Sequence, residues 1–238
     1  MSNKNKNKLL VFVVTYNSSF RLEIILKKLE KLKSKVNFVT LISDDCSTDD
    51  TLSFLPKKSG SMIINVNKKN IGYGGNIKKC LNFAVENNFS HAVMIHGDNQ
   101  YDVRYISYLY KKIKNTKADA VTGSRMIKPK DALYGKMPIY KFIGNIVLTK
   151  IFNLVYKTSF TDAHSGLWIY KISSINDINF KKFDNNYNFD NELRIKFVEK
   201  KKKILEIPIK TYYRNEKSFF HVFYSINFLI EVFKRYIK

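Results

Sequence analysis

The sequence predicts a mixed α/β fold with a mostly parallel sheet flanked by helices, and three observations indicate it. Short apolar segments of strand length recur through the first half of the chain. A polar or glycine-rich cluster follows each of them, and stretches with helical spacing of apolar residues lie between them. Strands that alternate with helices in this way form parallel sheets with right-handed crossovers. All the polar clusters should therefore gather along one edge of the sheet.

The first half of the chain supplies five predicted strands, at residues 9–14, 38–42, 62–66, 92–95 and 118–122. A helix capped by Ser18 or Ser19 follows the first strand, and its apolar residues Leu22, Ile25, Leu26, Leu29 and Leu32 follow helical spacing. A second helix ends near Glu86 after a glycine-rich loop. A third is expected over residues 103–114.

After residue 126 the alternation loosens. We expect an amphipathic helix over residues 139–155, a strand at 167–172, a helix that opens at 189–192 and a last strand at 204–209. Residues 219–237 again show helical spacing of apolar residues, with Lys234, Arg235 and Lys238 beside them. That helix either packs on the core or lies in a membrane interface.

Composition narrows the class of protein. The 238 residues carry a net charge of +22, mostly from lysine, which favours a polyanion or an anionic membrane as a partner, although a genome-wide bias would give the same excess. Two cysteines are too few for a disulfide framework and suggest a reducing compartment. The basic start lacks a cleavage site and is expected to lead into a buried strand. No apolar run reaches the 18 residues that a transmembrane helix needs.

The stretch His96-Gly-Asp-Asn-Gln100 directly follows a predicted buried strand. Asp98 and Gln100 are two positions apart, so their side chains point the same way if the segment is extended. Two oxygen donors on one side suit Mg²⁺ or Mn²⁺, with phosphate oxygens and water completing the shell. The alternative is an ordinary turn in which Asp98 or Asn99 caps the next helix.

Two other clusters follow strands. Asp44 and Asp45 could accept hydrogen bonds from a base or from ribose hydroxyls, or could cap a helix near Thr51. The loop at 72–76 is not a dinucleotide fingerprint, because Ile77 stands where the third glycine is required. It either approaches a phosphate or is a plain loop.

Taken in order, these clusters closely resemble the inverting nucleotide-sugar glycosyltransferases of family 2, which have the GT-A fold, especially the dolichyl-phosphate mannose synthase-like branch. The resemblance covers about residues 9–218. It includes Val-Val-Thr-Tyr-Asn at 13–17, Asp-Asp-Cys-Ser-Thr-Asp at 44–49, Asn-Ile-Gly-Tyr-Gly-Gly at 70–75, the 96–100 stretch, Gly-Ser-Arg at 123–125, Asp-Ala-His-Ser-Gly at 162–166, Phe-Asp-Asn-Glu at 189–192, and 206–218. Three positions depart from the pattern: Ser18 stands where many members carry Glu, His96 replaces an Asp, and Trp168 stands where a basic residue is frequent.

The resemblance implies a site and a division of the chain. One GT-A domain is expected over 1–238, with a nucleotide-sugar-binding half at 1–126, an acceptor half at 127–217 and an amphipathic helix at 218–238. Metal ligands would be Asp98, Gln100 and His96, for Mg²⁺ or Mn²⁺. Arg125 would act at phosphate. The nucleotide-sugar would be bound by Thr15, Tyr16, Asn17, Asp44, Asp45, Asn70, Gly72, Gly74, Gly97, Arg214 and Lys217.

The resemblance also implies a reaction. An acceptor would attack the anomeric carbon of a UDP- or GDP-sugar from the face opposite the diphosphate. A polyprenyl-phosphate acceptor is already anionic, whereas a hydroxyl of a cell-envelope glycan needs a base, for which Asp190 and Glu192 are candidates. Both carboxylates could instead complement a helix dipole. The expected place is cytoplasmic, at the inner face of an anionic membrane, with no nucleic acid bound.

Two other functions remain open. A basic nucleic-acid-binding module would use the +22 charge, although the sequence shows no recognition helix or aromatic platform. A degenerate transferase that binds a nucleotide-sugar without turnover is conceivable because of His96 and Trp168.

Overall fold

The computed structural model describes residues 8–56, 62–213, 229, 230 and 232. They form one seven-stranded sheet with the order β3-β2-β1-β4-β6-β5-β7. The strands are β1 Leu9–Thr15, β2 Val39–Asp44, β3 Met62–Val66, β4 His91–His96, β5 Ala120–Ser124, β6 Trp168–Lys171 and β7 Ile204–Pro208. Every pair is parallel except the two that β6 makes with β4 and β5. The mostly parallel α/β architecture predicted from the sequence is confirmed.

Helices cover both faces of this sheet. They are α1 Ser19–Lys33, α2 Tyr73–Glu86, α3 Tyr105–Lys114, α4 Pro129–Tyr134, α5 Ile139–Tyr156 and α6 Phe189–Glu199. Short 3₁₀ helices lie at Asp50–Phe54, Ile172–Ser174 and Phe180–Lys182. No helix in the described ranges is long and apolar enough to cross a membrane.

The core consists of two apolar layers, one on each face of the sheet. The inward faces of α1 and α3 pack on one side, with Leu22 and Leu109 among the fully buried residues. Those of α2 and α6 pack on the other, with Leu81 and Phe197. All seven residues of β1 are buried, as expected for a central parallel strand covered on both faces. Because both faces of the sheet are covered by apolar layers, the polar side chains that follow the parallel strands lie at the edge where those strands end.

Several details differ from the predictions. The antiparallel β6 brings a strand from the second half of the chain between two strands of the first half. Helix α4, which no pattern predicted, precedes α5. Ser18 precedes α1 without a side-chain cap, because the Thr51 hydroxyl accepts hydrogen bonds from the Ser18 and Ser19 amides instead. The predicted helix at 219–237 lies almost wholly outside the described residues.

Candidate functional site

Three strand ends carry the predicted polar clusters to one place. In the registers of the central strands, Thr15 of β1 is paired with Asp44 of β2, and Val14 is paired with His96 of β4. The main chain continues this proximity beyond the strands, since the Gly97 amide donates to the Val14 carbonyl and the Asp45 amide to the Thr15 carbonyl, both at 2.9 Å. The expectation that the clusters meet at one sheet edge is therefore met for β1, β2 and β4.

The loops after β1 and β2 are joined to one another. Asn17 Oδ1 accepts from the Thr48 amide at 2.8 Å, and the Asn17 amide donates to Ser47 Oγ at 2.9 Å. The Asp44 carboxylate is fully buried and accepts from both the amide (2.8 Å) and the hydroxyl (2.5 Å) of Ser47. Asp44 is therefore buried and holds the loop after β2 in place, whereas Tyr16, in the loop after β1, is exposed. The helix cap that was the alternative role for the two acids is made by Asp49, whose side chain accepts from the Thr51 amide.

Asp45 is better placed than Asp44 to contact a ligand. Its Oδ1 accepts from Asn67 Nδ2 and from the Ile71 amide, both at 2.9 Å. These two bonds fix the carboxylate through one oxygen and direct it toward the loop after β3. The second oxygen is the one that could accept from a bound base or ribose.

The glycine loop is packed against the start of α6. Gly72 has a φ of +82°, and a Cβ there would run into the Asn185 carbonyl oxygen. A Cβ on Gly74 would lie 2.5 Å from the Asp184 carbonyl oxygen. Asn70 Oδ1 accepts from the Gly72 amide at 2.9 Å and fixes the turn. Both glycines are required for close backbone approach, which accounts for the motif; nucleotide contact by this loop stays a prediction.

Asp98 lies at the end of β4, partly exposed and outside the apolar core. Its Oδ1 accepts from the Gln100 amide at 2.9 Å, and Asn99 between them has a φ of +58°. The segment is therefore a turn, and the argument that Asp98 and Gln100 point the same way because the chain is extended is wrong. Gly97 leaves no room for a side chain, because a Cβ there would lie 2.7 Å from Thr15 Oγ1.

The donor set fits a divalent cation that is shared with a substrate. Within the described ranges, no three His, Cys, Asp or Glu side chains lie close enough together to form a metal site of their own. Mg²⁺ is commonly held by one or two carboxylates together with substrate phosphates and water. Asp98, which is partly exposed and engaged through only one oxygen, matches that mode. Ligation by His96 and Gln100 stays a prediction.

His96 instead contacts a tyrosine that the sequence analysis did not select. The Tyr73 hydroxyl donates to Asp190 Oδ2 at 2.8 Å and lies 3.2 Å from His96 Nε2. Because that hydroxyl has one proton, a bond to Asp190 makes His96 Nε2–H the donor toward the tyrosine oxygen. Nδ1 is then the ring nitrogen that could accept from a ligand.

Asp190 and Glu192, the two candidate bases, have different environments. Burial raises the pKa of Asp190, against the opposing effects of His96 and Tyr73, and its Oδ1 is buried with no hydrogen-bond partner in the described part of the chain. Burial and the neighbouring Asp190 also raise the pKa of Tyr73 well above its usual value. Glu192 Oε2 accepts from the Asp184 amide at 2.7 Å and so holds the loop before α6. Of the two, Asp190 has the oxygen without a partner in that part of the chain and is the better candidate base; this role stays a prediction.

Arg125 is part of a buried ion pair. Its Nε and Nη2 donate to the two oxygens of Asp162, at 2.6 and 2.9 Å, and its Nη1 donates to the Tyr213 hydroxyl at 2.9 Å. Burial alone would raise the pKa of Asp162, but the charge of Arg125 and the hydrogen bonds from Arg125 and Asn145 together outweigh it and hold that pKa far below the usual range. The predicted role of Arg125 at phosphate is not what this geometry displays, because the guanidinium fork is taken up by Asp162. The predicted binding residues Arg214 and Lys217 lie outside the described residues.

A second buried arginine occupies the neighbourhood of Trp168. Arg194, on α6 one turn beyond Asp190, is 2% exposed, and its guanidinium lies over the Trp168 ring at 5.3 Å. Its Nη2 donates to the Ser165 carbonyl at 3.3 Å. A cation is therefore present beside the position where the resemblance led us to expect a basic residue. The i, i+4 spacing from Asp190 was the available signal for it.

The sequence matches a described protein family and several known proteins. The family described as Glycosyl transferase family 2 matches residues 10–178. An uncharacterized protein of Methanocaldococcus jannaschii, MJ0544, is 28% identical over 97% of this chain and 98% of its own length. A UDP-N-acetylglucosamine–dolichyl-phosphate N-acetylglucosaminyltransferase of Methanococcus voltae is 31% identical over 61% of this chain and 57% of its own length.

A solved structure extends the likeness to the fold. Glucosyl-3-phosphoglycerate synthase from Mycobacterium tuberculosis, in complex with Mn²⁺, UDP and glucosyl-3-phosphoglycerate, superposes with a TM-score of 0.69 at 13% identity. The match covers 96% of this chain and 80% of that one. The predicted GT-A class is confirmed by this likeness together with the sheet topology.

Proposed function

The chain belongs to glycosyl transferase family 2, and from that premise we propose that it transfers a sugar from a nucleoside-diphosphate donor to a polyprenyl phosphate or another cell-envelope glycan acceptor. Its activity as a glycosyltransferase follows from the family. The metal dependence, the inverting stereochemistry, the acceptor and the residues in their roles are the proposal.

One observation carries it. At the edge where β1, β2 and β4 end, a partly exposed carboxylate, Asp98, shares a segment with His96, whose ring is linked through the Tyr73 hydroxyl to the buried carboxylate of Asp190. The first carboxylate suits a cation on a diphosphate, and the second suits a proton acceptor. A transferase of this kind needs both groups. The cation acts on the diphosphate that leaves, and the proton acceptor acts on the hydroxyl that attacks from the other side of the anomeric carbon.

The donor would bind first in the loops that follow β1, β2 and β3. Asp45 would accept from the base or ribose, with Asn17 and Tyr16 forming the wall of the same cleft. A divalent cation, when bound, would neutralise negative charge on the diphosphate. Asp98 would hold it, with His96 and Gln100 as further predicted ligands, and Gly97 lets this segment pack closely against Thr15 at the same edge.

Transfer would then be a displacement at the anomeric carbon. The acceptor oxygen forms the new bond as the bond from that carbon to the diphosphate oxygen breaks, and the nucleoside diphosphate leaves with the electron pair. A hydroxyl acceptor must lose a proton, which would go to Asp190. A phosphate acceptor carries no such proton, and Asp190 would then act by holding Tyr73 and, through it, the tautomer of His96.

The relative in M. voltae supports a lipid-linked acceptor, because its name specifies dolichyl phosphate. That acceptor would place the protein at the inner face of the cell membrane. The high positive charge suits such a place as well.

The test measures donor binding and turnover together. We expect a UDP- or GDP-sugar to raise the melting temperature when Mg²⁺ or Mn²⁺ is present, and transfer to a short polyprenyl phosphate to give a product with inverted anomeric configuration by NMR. Asp98→Ala should lower turnover roughly a hundredfold or more, as loss of transition-state charge stabilisation does. Asp102→Ala is the matched control, since that carboxylate lies on the same segment but pairs with Arg104 at 2.7 Å.

Three results would contradict the proposal in different ways. Full turnover in Asp98→Ala would remove the metal role. Donor binding without transfer to any acceptor would identify a degenerate transferase. Salt-sensitive binding to RNA or DNA with no response to nucleotide-sugars would favour the nucleic-acid-binding alternative.

A further inference from the structure

An exposed aromatic side chain stands at the candidate site and has no role in the reaction described above. Tyr187, in the loop before α6, is 42% exposed. Its ring stacks on that of Tyr73, with the ring centres 4.6 Å apart and the ring planes 13° from parallel. Tyr73 is the residue whose hydroxyl joins His96 to Asp190. The Tyr187 ring, which is more exposed than that of Tyr73, therefore lies on the solvent side of this hydrogen-bonded group.

Tyr187 also lies near Asp98, the predicted ligand of the cation. Burial raises the pKa of the Tyr187 hydroxyl, and the negative charge of Asp98 raises it further. Because the effect of a carboxylate on a phenol decreases with distance, Asp98 and Tyr187 lie in the same part of the site. The tyrosine ring is thus placed near both carboxylates between which the anomeric carbon is expected, Asp98 directly and Asp190 through Tyr73.

The loop that carries Tyr187 is held in place by hydrogen bonds on both sides of this residue. Asn188 Nδ2 donates to Asp184 Oδ2 at 3.0 Å, within the loop. The Gly75 amide donates to the Asn185 carbonyl at 3.1 Å and so joins the loop to the start of α2. The ring is therefore positioned before a ligand arrives, which lowers the entropic cost of binding.

An aromatic ring beside a few well-placed polar groups is typical of a small-molecule site. One face of a pyranose sugar carries mainly C–H bonds, whereas its hydroxyls lie at the rim. Such a face packs well on a flat aromatic ring, because apolar surface is buried and the weakly positive C–H groups meet the negative face of the ring. A nucleobase would also stack on a tyrosine, but the base is expected at Asp45, in the loops that follow β2 and β3.

We propose that Tyr187 forms one wall of the subsite for the sugar of the nucleotide-sugar and packs its ring on the face of that sugar. This assignment deepens the proposed function and rests on it, because it takes the diphosphate to lie at Asp98 and the nucleoside at Asp45. The sugar then extends from Asp98 toward Asp190, which is where Tyr187 lies. The ring would hold the anomeric carbon toward the acceptor and favour sugars that have an apolar face.

The test compares a nucleotide-sugar with the same nucleotide without its sugar. Isothermal titration calorimetry of the full chain with Mn²⁺ measures the binding of UDP-glucose, UDP-N-acetylglucosamine, GDP-mannose, UDP and GDP. We expect Tyr187→Ala to weaken the binding of the nucleotide-sugar by about tenfold, as loss of an aromatic stack does, and to leave the binding of UDP and GDP unchanged. Tyr187→Phe keeps the ring and should retain the affinity. Tyr187→Leu keeps bulk against Tyr73 but lacks the ring, and should behave like the alanine variant.

Two other exposed tyrosines are matched controls. Tyr16, which is 47% exposed, lies at the predicted nucleoside site, so Tyr16→Ala should weaken the binding of the nucleotide and of the nucleotide-sugar equally. Tyr108, which is 63% exposed on α3, lies on a helix that carries none of the site residues, so Tyr108→Ala should change neither. Circular dichroism and the melting temperature without ligand establish that each variant is folded.

Four results would overturn the sugar subsite. The first is equal affinity of Tyr187→Ala and the unaltered chain for the nucleotide-sugar. The second is an equal loss for the nucleotide without sugar, since the ring would then support the nucleotide or the loop. The third is unchanged donor binding with a raised KM for the acceptor, which would assign the ring to the acceptor. The fourth is binding of UDP or GDP without binding of any of the three nucleotide-sugars.

The proposed function fails separately from this subsite. If the unaltered chain binds neither nucleotides nor nucleotide-sugars, the proposed function is rejected, and the subsite with it. If the unaltered chain binds and transfers the sugar while Tyr187→Ala does so equally well, the subsite alone is rejected.

Discussion

Replacing Asp162 by Ala should be among the most destabilising single changes in the described part of the protein. Its carboxylate accepts from Arg125 three times, at Nε (2.6 Å), Nη2 (2.9 Å) and the amide (3.0 Å), and from Asn145 Nδ2 at 2.8 Å. The side chain of Asp162 is fully buried, and that of Arg125 is 10% exposed. Without the carboxylate, the guanidinium would remain in the interior as an uncompensated charge.

Breaking a buried pair by removing one partner costs about 3–5 kcal/mol. For a chain of this size, each kcal/mol shifts the melting temperature by about 2–4 °C, so we expect a fall of roughly 6–20 °C. Thermal unfolding followed by circular dichroism measures the melting temperature, and urea unfolding followed by intrinsic fluorescence measures the free energy of unfolding. Asp177→Ala is the control, because its pairs with Lys200 and Lys202 lie at the surface and should contribute at most about 1 kcal/mol.

The dependence on pH gives an independent check. The pKa of Asp162 is lowered in the folded state, so its contribution is complete above the unfolded value of about 3.9 and is lost as the pH falls through the folded value. The difference between the unaltered chain and Asp162→Asn, which serves if the alanine variant does not fold, should be constant from pH 7 to pH 5 and shrink below about pH 4. A loss of stability no greater than that of Asp177→Ala would refute this account of the pair.

Further predictions concern the base and the glycine loop. Asp190→Asn should reduce the rate of transfer to hydroxyl acceptors by about 10²–10⁴-fold and the rate of transfer to phosphate acceptors much less. Glu192→Gln should leave both rates unchanged. Equal losses in the two variants would reject Asp190 as the base. Tyr73→Phe removes a hydrogen bond that lowers the pKa of Asp190, so the acid limb of the pH–rate profile with a hydroxyl acceptor should move to higher pH, and an unmoved limb would contradict the link. Gly74→Ala should lower the free energy of unfolding by about 1–3 kcal/mol in thermal or urea unfolding, because the added Cβ meets backbone oxygens. Gly144→Ala is the control and should be neutral or stabilising, because its added Cβ has no atom of the described residues within 4 Å. Equal effects of the two substitutions would argue against the packing role of Gly74.

The parts of the fold that follow from local chemistry were predictable. An apolar run bounded by turn residues defines a buried strand, and parallel strands must end at a common edge. This is why the sequence alone predicts that Asp45 and Asp98 lie along the same sheet edge. The direction of β6 was not predictable, because an apolar strand of four residues has the same pattern in either orientation.

The partners of the polar side chains were not predictable, because they come from distant parts of the sequence. Arg125 pairs with a carboxylate 37 residues away, and Tyr73 with one 117 residues away. The position of Arg125 after a predicted strand indicates that it lies near the sheet edge. It does not indicate which anion the guanidinium group will bind. The turn at Asn99, by contrast, was predictable, because Gly-Asp-Asn sequences often form turns and Asn tolerates a positive φ.

The contact between the glycine loop and the segment 184–186 has a consequence for how such a site changes in evolution. Because Gly72 and Gly74 touch the backbone oxygens of that segment, neither loop can acquire bulk or length without displacing the other. A larger residue at 74 in a related sequence should therefore be accompanied by a shortened or shifted segment before α6. Covariation between these two distant stretches would be the record of that constraint, and donor and acceptor preferences would then change together rather than one at a time.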